Sequence, residues 1–174
     1  MADAALAIAP GPDKPVQPDE LPLLEAAGIT KLYGDFVAND TINLDDEFSL
    51  GNHAYLINST AFTKTGFGLL THSESELLTL VANLDDNVIE LLSTGANTDV
   101  NINGGQANDS IVVGNGDFDS NILSDVVIAG GQGNDTLTID DVDDDTGPDG
   151  YFLESTTFHK FNFIGTLTYG TTEN

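Results

Sequence analysis

The sequence predicts an all-β fold: a right-handed parallel β-helix (β-solenoid) of about six coils behind an irregular N-terminal cap. Three observations lead there. A Gly-Gly turn motif occurs twice, in Gly104–Val112 and Gly130–Thr138. Asn-Asp or Asp-Asn pairs recur at Asn39-Asp40, Asp86-Asn87, Asn108-Asp109 and Asn134-Asp135, and from Asn87 onward their spacing lies in the twenties, a coil length. Each pair precedes an alternating apolar run: Ile42 and Leu44, Ile89 and Leu91, Ile111 and Val113, Leu137 and Ile139. Period-two alternation marks strands with one buried face.

Taken in order, residues 1–33 read as an N-terminal extension and cap. Ala5–Ala9 is a short apolar stretch with no basic residues before it, so it does not form an intact signal peptide. Pro10 to Pro22 is a Pro-rich link that stays extended. The one helical candidate is Asp19–Ala27, with Asp19 as cap and Pro22 near the first turn. Residues 34–174 read as the solenoid. Within it, Asn39–Asp46 matches Asn134–Asp141, and Tyr55–Lys64 matches Tyr151–Lys160. The match runs on through Phe67/Phe163 and, after one inserted residue, Gly68/Gly165, Leu70/Leu167 and Thr71/Thr168. The chain therefore reads as one module of about 95 residues and the start of a second. Val100–Ile102 and Val126–Ile128 supply a further strand before each Gly-Gly turn.

Composition narrows the function. The 174 residues carry a formal net charge of -25, with no Cys, no Trp, four Lys and no Arg. Such a charge repels itself in a compact state unless cations neutralise it. Without a basic patch, nucleic acid and anionic membrane are disfavoured as partners. No stretch is long and apolar enough for a helical membrane span. A cysteine-free extracellular protein needs another staple, and a metal is the usual one.

The Gly-Gly motif has chemistry to match. Gly130-Gly131-Gln132-Gly133-Asn134-Asp135-Thr136-Leu137-Thr138 fits G-G-x-G-x-D-x-U-x at every fixed position, and the earlier copy departs only at Ala107. The motif resembles the RTX, or hemolysin-type, calcium-binding repeats of secreted bacterial proteins. The tandem module resembles long, adhesin-like bacterial surface proteins over roughly Gly34 to Asn174. These resemblances imply Ca²⁺ and an extracellular, secreted or cell-surface location. RTX rolls carry motifs end to end, whereas here there is one per coil, which predicts ions along one edge only.

Stacked coils lie about 4.8 Å apart, and calcium–oxygen bonds run about 2.3–2.6 Å. An ion between two equivalent turns therefore reaches both. Asp109 and Asp135 are the first ligand pair, with Asn108, Asn134 and the Gly104 and Gly130 turns around them. Asp86 extends the column, and Asp40 lies farther along it. The competing reading is that Asn and Asp cap the turns as hydrogen-bonded ladders. The acidic loop of Asp141, Asp143 and Asp145 is a separate candidate. It lacks the sixth-position Gly and twelfth-position Glu of an EF-hand. Asn115–Asp119 is a shorter loop of the same kind.

Catalysis is set aside. Without Arg and with four Lys, a uronate or enolate-like charge finds little stabilisation, and His53, His72 and His159 are far apart in sequence. The expected role is a calcium-binding structural protein that stacks end to end into a filament or surface fibre. The alternative is a module of a large RTX-like adhesin with a cell-surface or polysaccharide ligand. A polysaccharide-active β-helix or an ice-binding solenoid fits less well, since Val112 interrupts the Thr rows such an ice-binding face needs.

Overall fold

The computed structural model describes residues 25–27, 41–73, 75–145, 147 and 149–170. The fold is mostly β, in two sheets: β1 (Glu25–Ala27), β2 (Thr41–Asp45), β3 (Ala54–Asn58), β4 (Ala61–Lys64), β5 (Phe67–Thr71), β6 (Leu77–Val81), β7 (Val88–Leu91), β8 (Asp99–Asn103), β9 (Ser110–Val113), the single-turn α1 (Phe118–Asn121), β10 (Val126–Ala129), β11 (Thr136–Ile139), β12 (Tyr151–Leu153), β13 (Thr157–Lys160) and β14 (Leu167–Gly170). The first sheet runs β1-β2-β6-β8-β10-β14-β13-β12, the second β11-β9-β7-β3-β4-β5. From β6 to β11 the chain alternates between them, and each strand pairs in parallel with the strand two strands earlier or later.

Parallel pairing in register puts like beside like. Ile42, Leu78, Val100, Val126 and Leu167 are successive partners in the first sheet, as are Leu44, Leu80, Ile102, Ile128 and Tyr169. In the second sheet the rows are Tyr55, Ile89, Ile111, Leu137 and Ile57, Leu91, Val113, Ile139. These rows face one another and form most of the core. Burying each such side chain contributes about 1.5–3 kcal/mol. The predicted alternation of β7, β9, β8 and β10 is therefore realised, residue for residue.

Several expectations need correction. Among the described residues, five parallel strands stack in one sheet and four in the other, where about six coils are expected for the whole chain. Two antiparallel meanders, β3-β4-β5 and β12-β13-β14, interrupt the series. β2 is not in the row of β7, β9 and β11; it lies in the other sheet, beside β6. Glu25–Ala27, expected in a helix, is a strand antiparallel to β2; the rest of that candidate, Ala5–Ala9 and Pro10–Pro22 lie outside the described residues. The turn at Phe118–Asn121 was not foreseen; Asp117 caps it by accepting from the Ser120 N–H at 3.1 Å.

The two copies of the longer repeat pair their strands in the same register. Tyr55 opposes Lys64 and Ile57 opposes Phe62, as Tyr151 opposes Lys160 and Leu153 opposes Phe158. Phe62 opposes Leu70 as Phe158 opposes Leu167. The copies sit in different sheets, so the repeat exchanges the two.

The Gly-Gly turns stack backbone on backbone. A Cβ on Gly131 would collide with the Gly105 carbonyl, and one on Gly133 with the Ala107 carbonyl. Gly131→Ala, at φ 107, combines that clash with left-handed strain. It is expected to lower stability by about 2 kcal/mol or more in urea denaturation. Gly170→Ala, with nothing within 4 Å of its Cβ, should stay within about 0.5 kcal/mol of the parent.

Candidate metal centre

The turn between the two sheets carries two polar ladders. In one, each side chain accepts from the backbone N–H of the preceding circuit: Asn87 Oδ1 from His53 at 3.2 Å, Asp109 Oδ1 from Asn87 at 2.8 Å, Asp135 Oδ1 from Asp109 at 2.9 Å. In the neighbouring ladder the direction reverses. Asp86 Oδ1 accepts from Asn108 N–H at 2.9 Å, and Asn108 Oδ1 from Asn134 N–H at 2.8 Å. At the opposite turn Asp99 and Asp125 accept from Asp125 and Thr166.

The structure thus brings Asp109 and Asp135 together as neighbours, and Asn108 with Asn134. Asp86 belongs to the row of Asn108 and Asn134, not to that of the two aspartates, which Asn87 and His53 continue. Asp40 lies outside the described residues.

The hydrogen-bonded ladder uses one oxygen per carboxylate. The other oxygens, Asp109 Oδ2 and Asp135 Oδ2, are buried without a partner. Both residues are almost wholly buried, at 2% and 8% exposure. Asp109 Oδ2 and the Gly130 carbonyl oxygen both crowd the space a Gly104 Cβ would take, at 2.6 and 2.5 Å from it. Asp135 Oδ2 likewise fills the space beside Gly130. These are hard oxygen acceptors packed against the glycine turns, and oxygen is the donor type that Ca²⁺ prefers. Burial pushes the Asp109 carboxyl up to about 6; the Asn87 hydrogen bond opposes this, and the charges of Asp135 and Asp86 add to it.

Ala107 occupies the third-glycine position of the first motif with φ 68. The turn keeps its left-handed shape, at about 1 kcal/mol of strain that glycine would not carry.

The acidic loop is organised around an ammonium group. Lys160, its side chain fully buried, places Nζ against Asp119, Asp141, Asp144 and, at 3.5 Å, Asp149. Tyr151 Oη donates to Asp141 Oδ2 at 2.7 Å. Burial pushes Asp141 up, but bonds from Lys160, the Phe118 N–H and Tyr151 outweigh it and hold the carboxyl below its ordinary value. Tyr151 is pushed up to about 12 by the same bond to Asp141. Burial disfavours the charged Lys160, yet its bonds to Asp119, Asp141 and Asp144 raise it well above the ordinary lysine. Asp141 is therefore engaged with a lysine. Asp143 and Asp145 are exposed, and the Asp143 N–H bonds to the Gly116 carbonyl at 2.6 Å. Asp117, Asp119 and Asp144 also come within ligand distance of one another.

Sequence reasoning missed these lysines. The first repeat copy has the same arrangement: Tyr55 Oη donates to Asp46 Oδ2 at 2.6 Å, and Lys64 Nζ to Asp46 Oδ1 at 2.6 Å, all buried. The signal was present, since Asp46/Asp141, Tyr55/Tyr151 and Lys64/Lys160 are equivalent positions of the repeat.

No family of known sequences, no curated protein and no solved structure matches this chain.

Two outcomes are expected. The Asp109 value of about 6 lies above the ordinary 3.8, so the folded state holds that proton more tightly. In chelator its contribution therefore falls as pH rises from about 4 to about 6. Asp109→Asn keeps the acceptor for Asn87 and should remove that decline; identical pH profiles of melting temperature would refute the assignment. Lys160→Met leaves the Asp119, Asp141 and Asp144 carboxylates facing one another. It should cost about 3 kcal/mol at pH 7, and less at pH 4, measured by urea denaturation.

Proposed function

We propose that this chain is a non-catalytic, calcium-stiffened structural protein of the cell exterior, its two sheets forming a right-handed β-solenoid with calcium in its stacked Gly-Gly turns. The observation that carries this reading is the pair of unpartnered oxygens on Asp109 and Asp135. A ladder needs one oxygen per residue, and Asn87 and Asn108 supply it without charge. Asp at 109 and 135 therefore brings a charge that the ladder does not use. In these two ladders it is also the only step where two carboxylates are adjacent.

Magnitudes favour a cation there. Two like charges about 5 Å apart repel by roughly 3 kcal/mol at an effective dielectric constant of about 20. Ca²⁺ shared by Asp109 Oδ2, Asp135 Oδ2 and turn carbonyls converts that repulsion into attraction. The Gly104 and Gly130 turns let the carboxylate oxygens pack against the backbone, and Asn108 and Asn134 hold the turn from outside. Asp86 contributes field rather than ligation. The acidic loop competes poorly for calcium, because Lys160 already supplies the positive charge to Asp141.

Binding to the folded state alone raises stability by about 2.7 kcal/mol at a hundredfold excess over the dissociation constant. For a chain of this length that is on the order of 5–10 °C. Melts in calcium should exceed melts in chelator by such an amount. Asp135→Asn should abolish most of the difference, and Asp145→Asn should leave it. Superimposable melts of the parent protein in calcium and chelator would sink the calcium role.

A further inference from the structure

We infer that the outer edge of β12 in one copy of this chain pairs in parallel with the outer edge of β5 in a second copy, joining subunits head to tail. The inference rests on the stacked-circuit reading above and adds the identity of the joint.

The internal repeat supplies the argument, because each meander displays the edge that the other conceals. In the first copy β3 is covered by the parallel strand β7, and Tyr55 and Ile57 are each 1% exposed. Their equivalents on β12, Tyr151 and Leu153, are 54% and 76% exposed, and β12 ends its sheet among the described residues. Conversely, β14 is covered by the parallel strand β10, and Leu167 is fully buried. Its counterpart strand β5 ends the other sheet among the described residues; Leu70, the equivalent of Leu167, is only partly buried there, and Leu69 on the outer face is 67% exposed. An open hollow of about 380 Å³ lies beside β12, lined by Ile139, Asp140, Asp141, Val142, Tyr151 and Phe158.

A second copy meets the geometric demands of both edges. β5 and β12 each lie two antiparallel steps from a stacked strand, so each runs with the parallel strands of its own sheet. The repeat exchanges the sheets, so a copy that continues the stack is rotated by a half turn about the stacking direction. Its sheet ending in β5 then continues the sheet ending in β12. Side-chain alternation sets Leu153 beside Leu70 on the inner face and Phe152 beside Leu69 on the outer. Neither strand carries an acid, in a chain of net charge -25. At the other sheet's end β2 already has β1 alongside. Exposed, apolar edges of this kind are templates for strand pairing, and a contact between two different surfaces propagates into a fibre unless its rotation closes.

The test uses the full chain in calcium at about 150 mM salt, where charge repulsion is screened beyond about 8 Å. Sedimentation velocity across a concentration series, with electron microscopy, should show growing oligomers or fibres. Leu69→Lys and Phe152→Lys alter exposed side chains, so both should keep the parent melting temperature and sediment as monomers. Leu153→Lys serves in place of Phe152→Lys if that variant fails to fold. Mixed in equal amounts, a β5 variant and a β12 variant retain one good edge of each kind and should form a dimer that grows no further. A monomeric parent protein, variants that assemble normally, or a mixture that stays monomeric would each overturn the joint. A monomeric parent that still melts higher in calcium would leave the calcium reading intact.

Discussion

Equivalent residues in neighbouring parallel strands lie about 4.8 Å apart, and that spacing decides what each position can hold. For apolar residues it is an advantage: the row Leu44, Leu80, Ile102, Ile128 buries every member. For backbone, it excludes side chains where turns touch, as at Gly131 and Gly133. For carboxylates it is a cost that must be relieved. The two ladders relieve it by setting an amide beside a carboxylate, Asn108 beside Asp86 and Asn87 beside Asp109. In these two ladders, only Asp109 and Asp135 set a carboxylate beside a carboxylate. The place where the sequence breaks its own pattern is the place where the structure leaves buried oxygens unpartnered, and local inconsistency of this kind points to function.

The same constraint explains how few lysines are spent. The chain has four, and two are buried against aspartate, at equivalent points of the repeat. Removing water from an ammonium and a carboxylate is expensive, and only close geometry with further hydrogen bonds offsets it. Tyr55 and Tyr151 provide those bonds, each donating to the aspartate that the lysine also contacts. At the second copy three more carboxylates have gathered around the ammonium, turning an acidic loop into a closed electrostatic unit. Where a chain supplies its own cation, a metal has less to gain. The loop and the Gly-Gly turns are thus two solutions to one excess of negative charge.

The fold was largely legible because periodicity is a backbone property. Strands β7 to β11 follow from alternation and spacing, and the Asp109/Asp135 pairing follows from aligning the two motifs. What stayed hidden depends on which sheet a strand joins. Asn39–Asp46 resembles Asn134–Asp141 in sequence, yet β2 and β11 belong to opposite sheets, and it is His53 that precedes Asn87 in the ladder. Asp86 was misplaced by one residue, and in a strand one residue reverses the face. The lysine cage was hidden for another reason: it joins Asp119 to Lys160 across 41 residues, and no local pattern encodes such a contact.

The exchange of sheets between repeat copies decides where the two meanders sit. A repeat that returned to its own sheet would place identical meanders on one face, and their antiparallel strands would interrupt the same stack twice. Exchange instead puts one meander at each end, in opposite sheets, facing outward in opposite directions. Each meander has an inner strand that rests on the stacked circuits and an outer strand that offers a fresh edge parallel to them. The antiparallel middle strand, β4 or β13, therefore does not cap the stack. It restores the strand direction of the stack, so that β5 and β12 both run parallel to the stacked strands of their own sheets.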